Sequence, residues 1–167
     1  VYALGVQWED LRSVRQELRQ NTVTYGGGCL EFVHEGPLDL FKKLKAVGDI
    51  AIVGVTPDVR VTARKGPGRP AQLETTRLSI VDAIKHVDYT FLSPTSAAGY
   101  RIIGYRTLEH LQPDYFLTSE DIWEEDRQWL ATQDTELMVI PRFRDDISTT
   151  ATINRIVAQN QSSLESI

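Results

Sequence analysis

The chain has 167 residues, 41% hydrophobic and 25% charged, which supports one globular domain and argues against disorder. Its 18 basic and 23 acidic residues give a net charge of −5, against a general nucleic-acid binder or a polybasic membrane-surface protein. A single cysteine, Cys29, excludes an internal disulfide and a Cys-rich zinc cluster, and no apolar stretch approaches the ~20 residues that cross a bilayer.

In chain order, Trp8, Leu11, Val14 and Leu18 fall at helical spacing, so residues 8–20 read as an amphipathic helix. Residues 22–25 are a short β-type run ending in Gly26, Gly27 and Gly28, read as a glycine-rich turn. Residues 38–47 read as a helix stopped by Gly48. The apolar run at 49–55 suits a strand buried on both faces, closed by Pro57. Residues 60–70 read as a loop and 73–86 as a helix. A strand at 88–92, a loop at 93–99, a helix at 105–111 and a strand at 114–117 follow. A helix at 122–132, a last strand at 136–140 and a helix capped by Ser148, Thr149 and Thr150, running to about residue 159, complete the chain. The organisation is an N-terminal helix (1–21), one main domain (22–160) and a polar tail (161–167).

Alternating strands and helices predict an α/β fold: a Rossmann-like, doubly wound parallel sheet of about five strands with flanking helices. Ligands of such sheets bind outside the carboxyl ends of the strands, where the strand order reverses. The glycine-rich segment and the helix after it therefore form a candidate phosphate site, with His34 and Gly36 at the helix mouth. Arg60, Arg64, Lys65 and Arg69 bring four positive charges and no acid between residues 60 and 70. They are either a solvated loop or a flexible arm over a substrate phosphate, which Arg77 could also reach. His86 and His110 read as helix-end residues, and Trp123 and Trp129 as packing or interface residues.

The segment GGGCLEFVHEGPLDLFKKLKAVGDIAIVGVTPD resembles the opening of the cytidylyltransferase-like nucleotidyltransferases. KGPGRPAQLETTRLSIVDAIKHVDY, LQPDYFLT and ISTTATINRI resemble three further blocks of that family, in the same order across residues 23–157. KGPGRP and its spacing to Arg77 are most like the ADP-heptose synthase nucleotidyltransferase domain, and Ile140-Pro141-Arg142 is like the glycerol-phosphate cytidylyltransferases. The resemblance implies transfer of a nucleotidyl group from ATP or CTP to a sugar or polyol phosphate. Pyrophosphate would be released, with Mg²⁺ bound through the nucleotide phosphates. It implies His34 and Lys45 as catalytic residues. Gly26, Gly27, Gly28, Cys29, Gly36, Arg142, Ser148, Thr149 and Thr150 would bind the nucleotide, and Lys65, Arg69 and Arg77 the acceptor; no protein-held metal is implied. A homodimer is implied by the same resemblance, while composition, charge and hydropathy lead to the expectation of a cytoplasmic protein with no nucleic acid and no membrane among its partners.

The departures are specific. Pro37 stands where the family has its second histidine, Glu31 where it has an aspartate, and Thr118 where it has a lysine. Glu120, Asp121, Glu124, Glu125 and Asp126 then crowd around Trp123, a charge that would repel a triphosphate. Removing one donor to developing negative charge costs ~10²–10³ in rate, so the alternative is a catalytically degenerate nucleotide-binding or scaffolding member of the same fold.

Overall fold

The computed structural model describes residues 5–94, 105–119, 122–144 and 146–164, with side chains of the last helix described as far as residue 161. At its centre five parallel strands lie in the order β3-β2-β1-β4-β5. They are β1 (Val23–Gly28), β2 (Ile50–Val55), β3 (Tyr89–Leu92), β4 (Tyr115–Thr118) and β5 (Glu136–Val139). The helices among the described residues are α1 (Leu11–Glu17), α2 (Glu35–Val47), α3 (Asp58–Lys65), α4 (Glu74–Asp82), α5 (Tyr105–Leu111), α6 (Glu124–Leu130) and α7 (Thr149–Leu164). The chain winds outward from β1 to β3, then returns to the other side of β1 as β4 and β5. The reversal between β1 and β4 opens a crevice at their carboxyl ends.

The continuous apolar run of β2 has a direct cause. Successive side chains point to opposite faces, so Ile52 enters one core while Ala51, Val53 and Val55 enter the other. The first core joins Leu11, Val23, Tyr25, Phe91, Leu108, Leu111 and Phe116; the second joins Phe41, Leu44 and Leu117. Tyr25 stacks between Phe91 (6.0 Å) and Phe116 (5.5 Å), and burial pushes its phenol up to about 12 against the opposing pull of Arg60.

Four expectations about local structure are corrected. Gly26, Gly27 and Gly28 are not a turn but the second half of β1. A Cβ on Gly27 would lie 2.5 Å from the Gly54 carbonyl oxygen, so glycine there lets β1 and β2 approach. Residues 58–65 are helical rather than loop, because Val61 anchors the segment in the interior while Thr62, Ala63, Arg64 and Lys65 stay exposed. The predicted helix at 8–20 divides into a 3-10 turn, Trp8–Asp10, and α1, and Arg15 closes its end by donating to the Leu18 carbonyl at 3.3 Å. The last helix continues beyond residue 159 to Leu164.

The aromatic residues of the amino-terminal and acidic segments pack. Trp8 stacks on His110 with ring centroids 4.5 Å apart, and Trp129 meets Tyr105 edge to face at 4.4 Å. Trp123 is half-exposed at the start of α6. Of the acidic run, Glu120 and Asp121 lie outside the described residues. Asp126 is buried and accepts the Tyr105 hydroxyl, so its charge turns into the fold rather than toward the crevice. The predicted loop at 93–99 falls outside the described residues from 95 onward. No helix among the described residues is long and apolar enough to cross a membrane.

Candidate active site

The loop after β1 delivers His34 to the first position before α2. Its backbone is extended (φ −124°, ψ −171°), and its ring folds back so that Nδ1 accepts the Gly36 N–H at 3.2 Å. A Cβ on residue 36 would sit 3.0 Å from Cε1 of that ring, so glycine at 36 is what makes room for the histidine cap. Because Nδ1 is an acceptor, the neutral ring carries its proton on Nε2. Partial burial holds the imidazole below its ordinary value against the charge of Glu35, so the neutral form prevails at pH 7. The helix mouth thus offers a neutral N–H donor beside a positive dipole end, while the Gly36 and Leu38 amides bond His34 itself. Pro37 lies in this first turn, where its missing N–H breaks no helical bond.

A second helix mouth opens on the same edge. Ser148 caps α7: its Oγ accepts the Ala151 N–H at 3.0 Å and its carbonyl accepts the Thr152 N–H at 3.0 Å. The serine hydroxyl hydrogen remains a donor, and the first turn of α7 contains no acidic residue. Thr150 is exposed and Thr149 half-buried in that turn. The segment leading into α7 leaves β5 where the Ile140 N–H bonds the Thr118 carbonyl at 2.8 Å. It carries the exposed Arg142 and then Arg144, which pairs with Asp146 (2.6 Å) and feels the charge of Glu35. That field links the α7 approach to the mouth of α2.

The third wall is a buried ionic network. Glu31 has no exposed side-chain surface, and its two oxygens accept Nε and Nη2 of Arg69, each at 2.5 Å. The Ala71 N–H adds a third bond at 2.7 Å, and Lys65 Nζ stands 3.7 Å away. Burial alone would raise this carboxyl, but the Arg69 hydrogen bonds, the Ala71 amide and the two positive charges hold it below the usual carboxylate range. Arg77, also fully buried, donates to the carbonyls of Cys29 and Gln72 and to Asp58 Oδ1 (2.7 Å). Thr62 Oγ1 holds the Arg69 carbonyl at 2.6 Å.

These contacts sort the expected site residues. His34, Gly36, Ser148, Thr149 and Thr150 sit at the two helix mouths, and Gly28 and Cys29 lead into the first. Cys29 is half-buried with a free thiol, and its carbonyl belongs to Arg77. Lys45 stands apart from them. It lies eleven residues beyond His34, about 16 Å down the helix axis. There it pairs with Asp88 at 2.7 Å and with the Asp49 carbonyl, at the amino ends of β2 and β3. It ties α2 to the sheet on the edge opposite the crevice. Arg77 is enclosed: all three of its guanidinium nitrogens donate inside the protein. Arg69 has its guanidinium fork closed on Glu31, which clamps the segment read as a solvated loop or a flexible arm. Glu31 and Asp58 were not expected as partners; an acid facing a run of four cations that contains no acid was the available signal.

The comparisons bear on the family and the fold. The chain is 31% identical over 163 residues to the bifunctional protein HldE of Shewanella sp. (strain ANA-3), covering 93% of this chain and 32% of that protein. It is 25% identical over 151 residues to the HldE of Sulfurimonas denitrificans, covering 89% and 30%. The chain therefore spans about a third of the length of these curated relatives. Among solved structures, a lipopolysaccharide core biosynthesis protein from Thermoplasma volcanium superposes with a TM-score of 0.60 at 22% identity, over 74% of this chain and 99% of that one. Pantothenate synthetase from Thermus thermophilus gives 0.56 at 16% identity, over 88% and 70%. Both likenesses are of fold. The family model described as cytidylyltransferase-like matches residues 25–155, and the chain belongs to that family.

Proposed function

We propose that the chain transfers a nucleotidyl group from ATP or CTP to a sugar or polyol phosphate. An oxygen of the acceptor phosphate attacks the α-phosphorus, the bond to the bridging oxygen of the β-phosphate breaks, and pyrophosphate leaves with that electron pair. The observation that carries this reading is the pair of capped helix mouths, His34 on α2 and Ser148 on α7, opening on one edge of the sheet. Each presents a neutral donor and a positive dipole end to a polyanion, and α7 adds the amides of its first turn. Catalysis in such a site is positioning plus neutralisation of charge that grows on the phosphoryl oxygens. His34 Nε2–H, the α7 amides and the Ser148 hydroxyl supply hydrogen bonds. Those groups suit phosphate oxygens, and Mg²⁺ carried on the nucleotide would neutralise the remaining phosphate charge. A homodimer belongs to this reading as well.

The second reading, a nucleotide-binding member without turnover, is favoured by Pro37 and Thr118, which lack the donors of the family pattern. Pyrophosphate release over ATP and CTP with a panel of hexose and polyol phosphates separates the two. Release that depends on both substrates and falls in His34→Asn supports transfer. Nucleotide binding by calorimetry with no release from any pair supports the silent reading.

A further inference from the structure

On the edge of the sheet opposite the crevice, α1, α5 and the approaches to β4 and β5 enclose a cavity of about 430 Å³ that the proposed transfer does not use. That volume falls in the range of small-molecule sites. Leu108 and Pro113, both buried, give it an apolar surface. An ion pair fixed from several sides borders it. Asp114 accepts Arg15 Nη2 at 3.1 Å on each oxygen and the Val23 N–H at 2.7 Å. Arg15 also donates Nε to the Gln112 carbonyl at 3.0 Å and Nη1 to the Leu18 carbonyl at 3.3 Å. The Thr135 hydroxyl donates to the Pro113 carbonyl at 2.7 Å, and the Glu136 N–H to the Asp114 carbonyl at 2.9 Å. These bonds hold the cavity open without a ligand.

Four exposed residues of the lining take no part in that framework. Among the described residues, the side chains of Gln16, Arg19, Gln112 and Asp134 make no hydrogen bond or ion pair. Gln112 stands out, because it follows α5 with φ of +49°, the left-handed conformation that glycine adopts without strain. Glutamine carries that strain and keeps an amide at the cavity. The charges of the lining balance: Arg15 and Asp114 neutralise each other, leaving the guanidinium of Arg19 and the carboxylate of Asp134. A neutral site with one free charge of each sign favours a zwitterion over an anion such as a nucleotide. From this we infer that the cavity binds a free α-amino acid with an apolar side chain. Arg19 takes the carboxylate, Asp134 takes the ammonium, and the Gln16 and Gln112 amides supply donors and acceptors to both. The side chain lies against Leu108 and Pro113.

The test uses the whole chain, with L-leucine and L-methionine as probes titrated by calorimetry and fold read from the melting temperature. Both are expected to bind. N-acetyl-L-leucine and L-leucinamide, which each lack one of the two charges, should bind at least tenfold more weakly. Arg19→Met and Asp134→Asn should each weaken L-leucine binding by roughly tenfold or more, the loss of one charge-assisted contact. The melting temperature should not change, since neither side chain bonds within the fold. Gln112→Gly should weaken binding and raise the melting temperature, because glycine relieves the positive φ. Arg12→Met, on an exposed cation of α1 outside the lining, should change neither. No binding of either amino acid by the wild type, N-acetyl-L-leucine binding as tightly as L-leucine, or equal losses in Arg19→Met and Arg12→Met each overturns the inference. A lower melting temperature in both Arg19→Met and Asp134→Asn would mean that the two charges pair with each other across the cavity, and overturns it as well. Binding is read without nucleotide or turnover, so a silent pyrophosphate assay does not bear on it.

Discussion

His34 has two roles that one substitution can separate. Its Nδ1 caps α2, and in the proposed site its Nε2–H would donate to a phosphate oxygen. Asparagine is among the best N-cap residues, so His34→Asn should keep the fold within about 0.5 kcal/mol while losing the imidazole donor. The expected result is a ~10²–10³-fold fall in transfer rate with a nearly unchanged melting temperature. A rate equal to wild type would make the histidine a cap and nothing more. Lys45 makes the opposite case. Its bridge to Asp88 is about one-third exposed, so Lys45→Met should cost only about 0.5 kcal/mol after screening. Nucleotide affinity measured by calorimetry should not change, because the ammonium stands at the far edge of the sheet. A tenfold loss of affinity would return Lys45 to the site.

At the scale of elements, the crevice is made of two helix mouths and a clamp that locks the β1–α2 loop to the start of α3 and α4. Arg77 is the centre of that lock. Replacing it by methionine removes the partner of Asp58 and leaves the Cys29 and Gln72 carbonyls without their donor. Loss of one member of a buried pair costs roughly 3 kcal/mol, discounted here for the partial exposure of Asp58. Arg77→Met should therefore melt at least several degrees lower, read by circular dichroism; an unchanged melting temperature would show that the lock carries no stability. What was legible in the sequence follows the same division. Strands and the α2 and α7 mouths could be read because local signals set them: the apolar run of β2, the glycine beside His34, the Ser-Thr-Thr cap. The roles of Lys45, Arg69 and Arg77 could not, because each is decided by a partner 38 or more residues away in the chain. α3 was missed because its three cations, Arg60, Arg64 and Lys65, hide a single inward residue, Val61.

Across the whole molecule, a net charge of −5 coexists with a crevice whose walls present amides, a neutral imidazole and Lys65. Two groups of that crevice couple its integrity to pH. His34 lies below its ordinary value of 6.5 through burial, and Glu31 lies below 4.5 because burial is outweighed by the Arg69 bonds, the Ala71 amide and the nearby charges. In both, the folded state binds protons less readily than the unfolded chain. Their stabilisation is therefore complete above the unfolded values and is lost as pH falls through the folded ones. The melting temperature should drop in two stages on acidification: first below about pH 6.5, as His34 protonates and its Nδ1 can no longer accept the Gly36 amide, then below about pH 4.5, as Glu31 gains a proton inside the clamp. Each stage has its own variant. In His34→Asn the upper stage should vanish, since asparagine caps the helix without titrating. In Glu31→Gln the lower stage should shrink from an already reduced melting temperature, because the amide cannot charge. Thermal melts at half-unit steps from pH 7.5 to 3.5 read both. A His34→Asn curve that runs parallel to wild type from pH 7.5 to 5.5 would remove the histidine cap from the account of stability, and with it the tautomer assigned to Nε2.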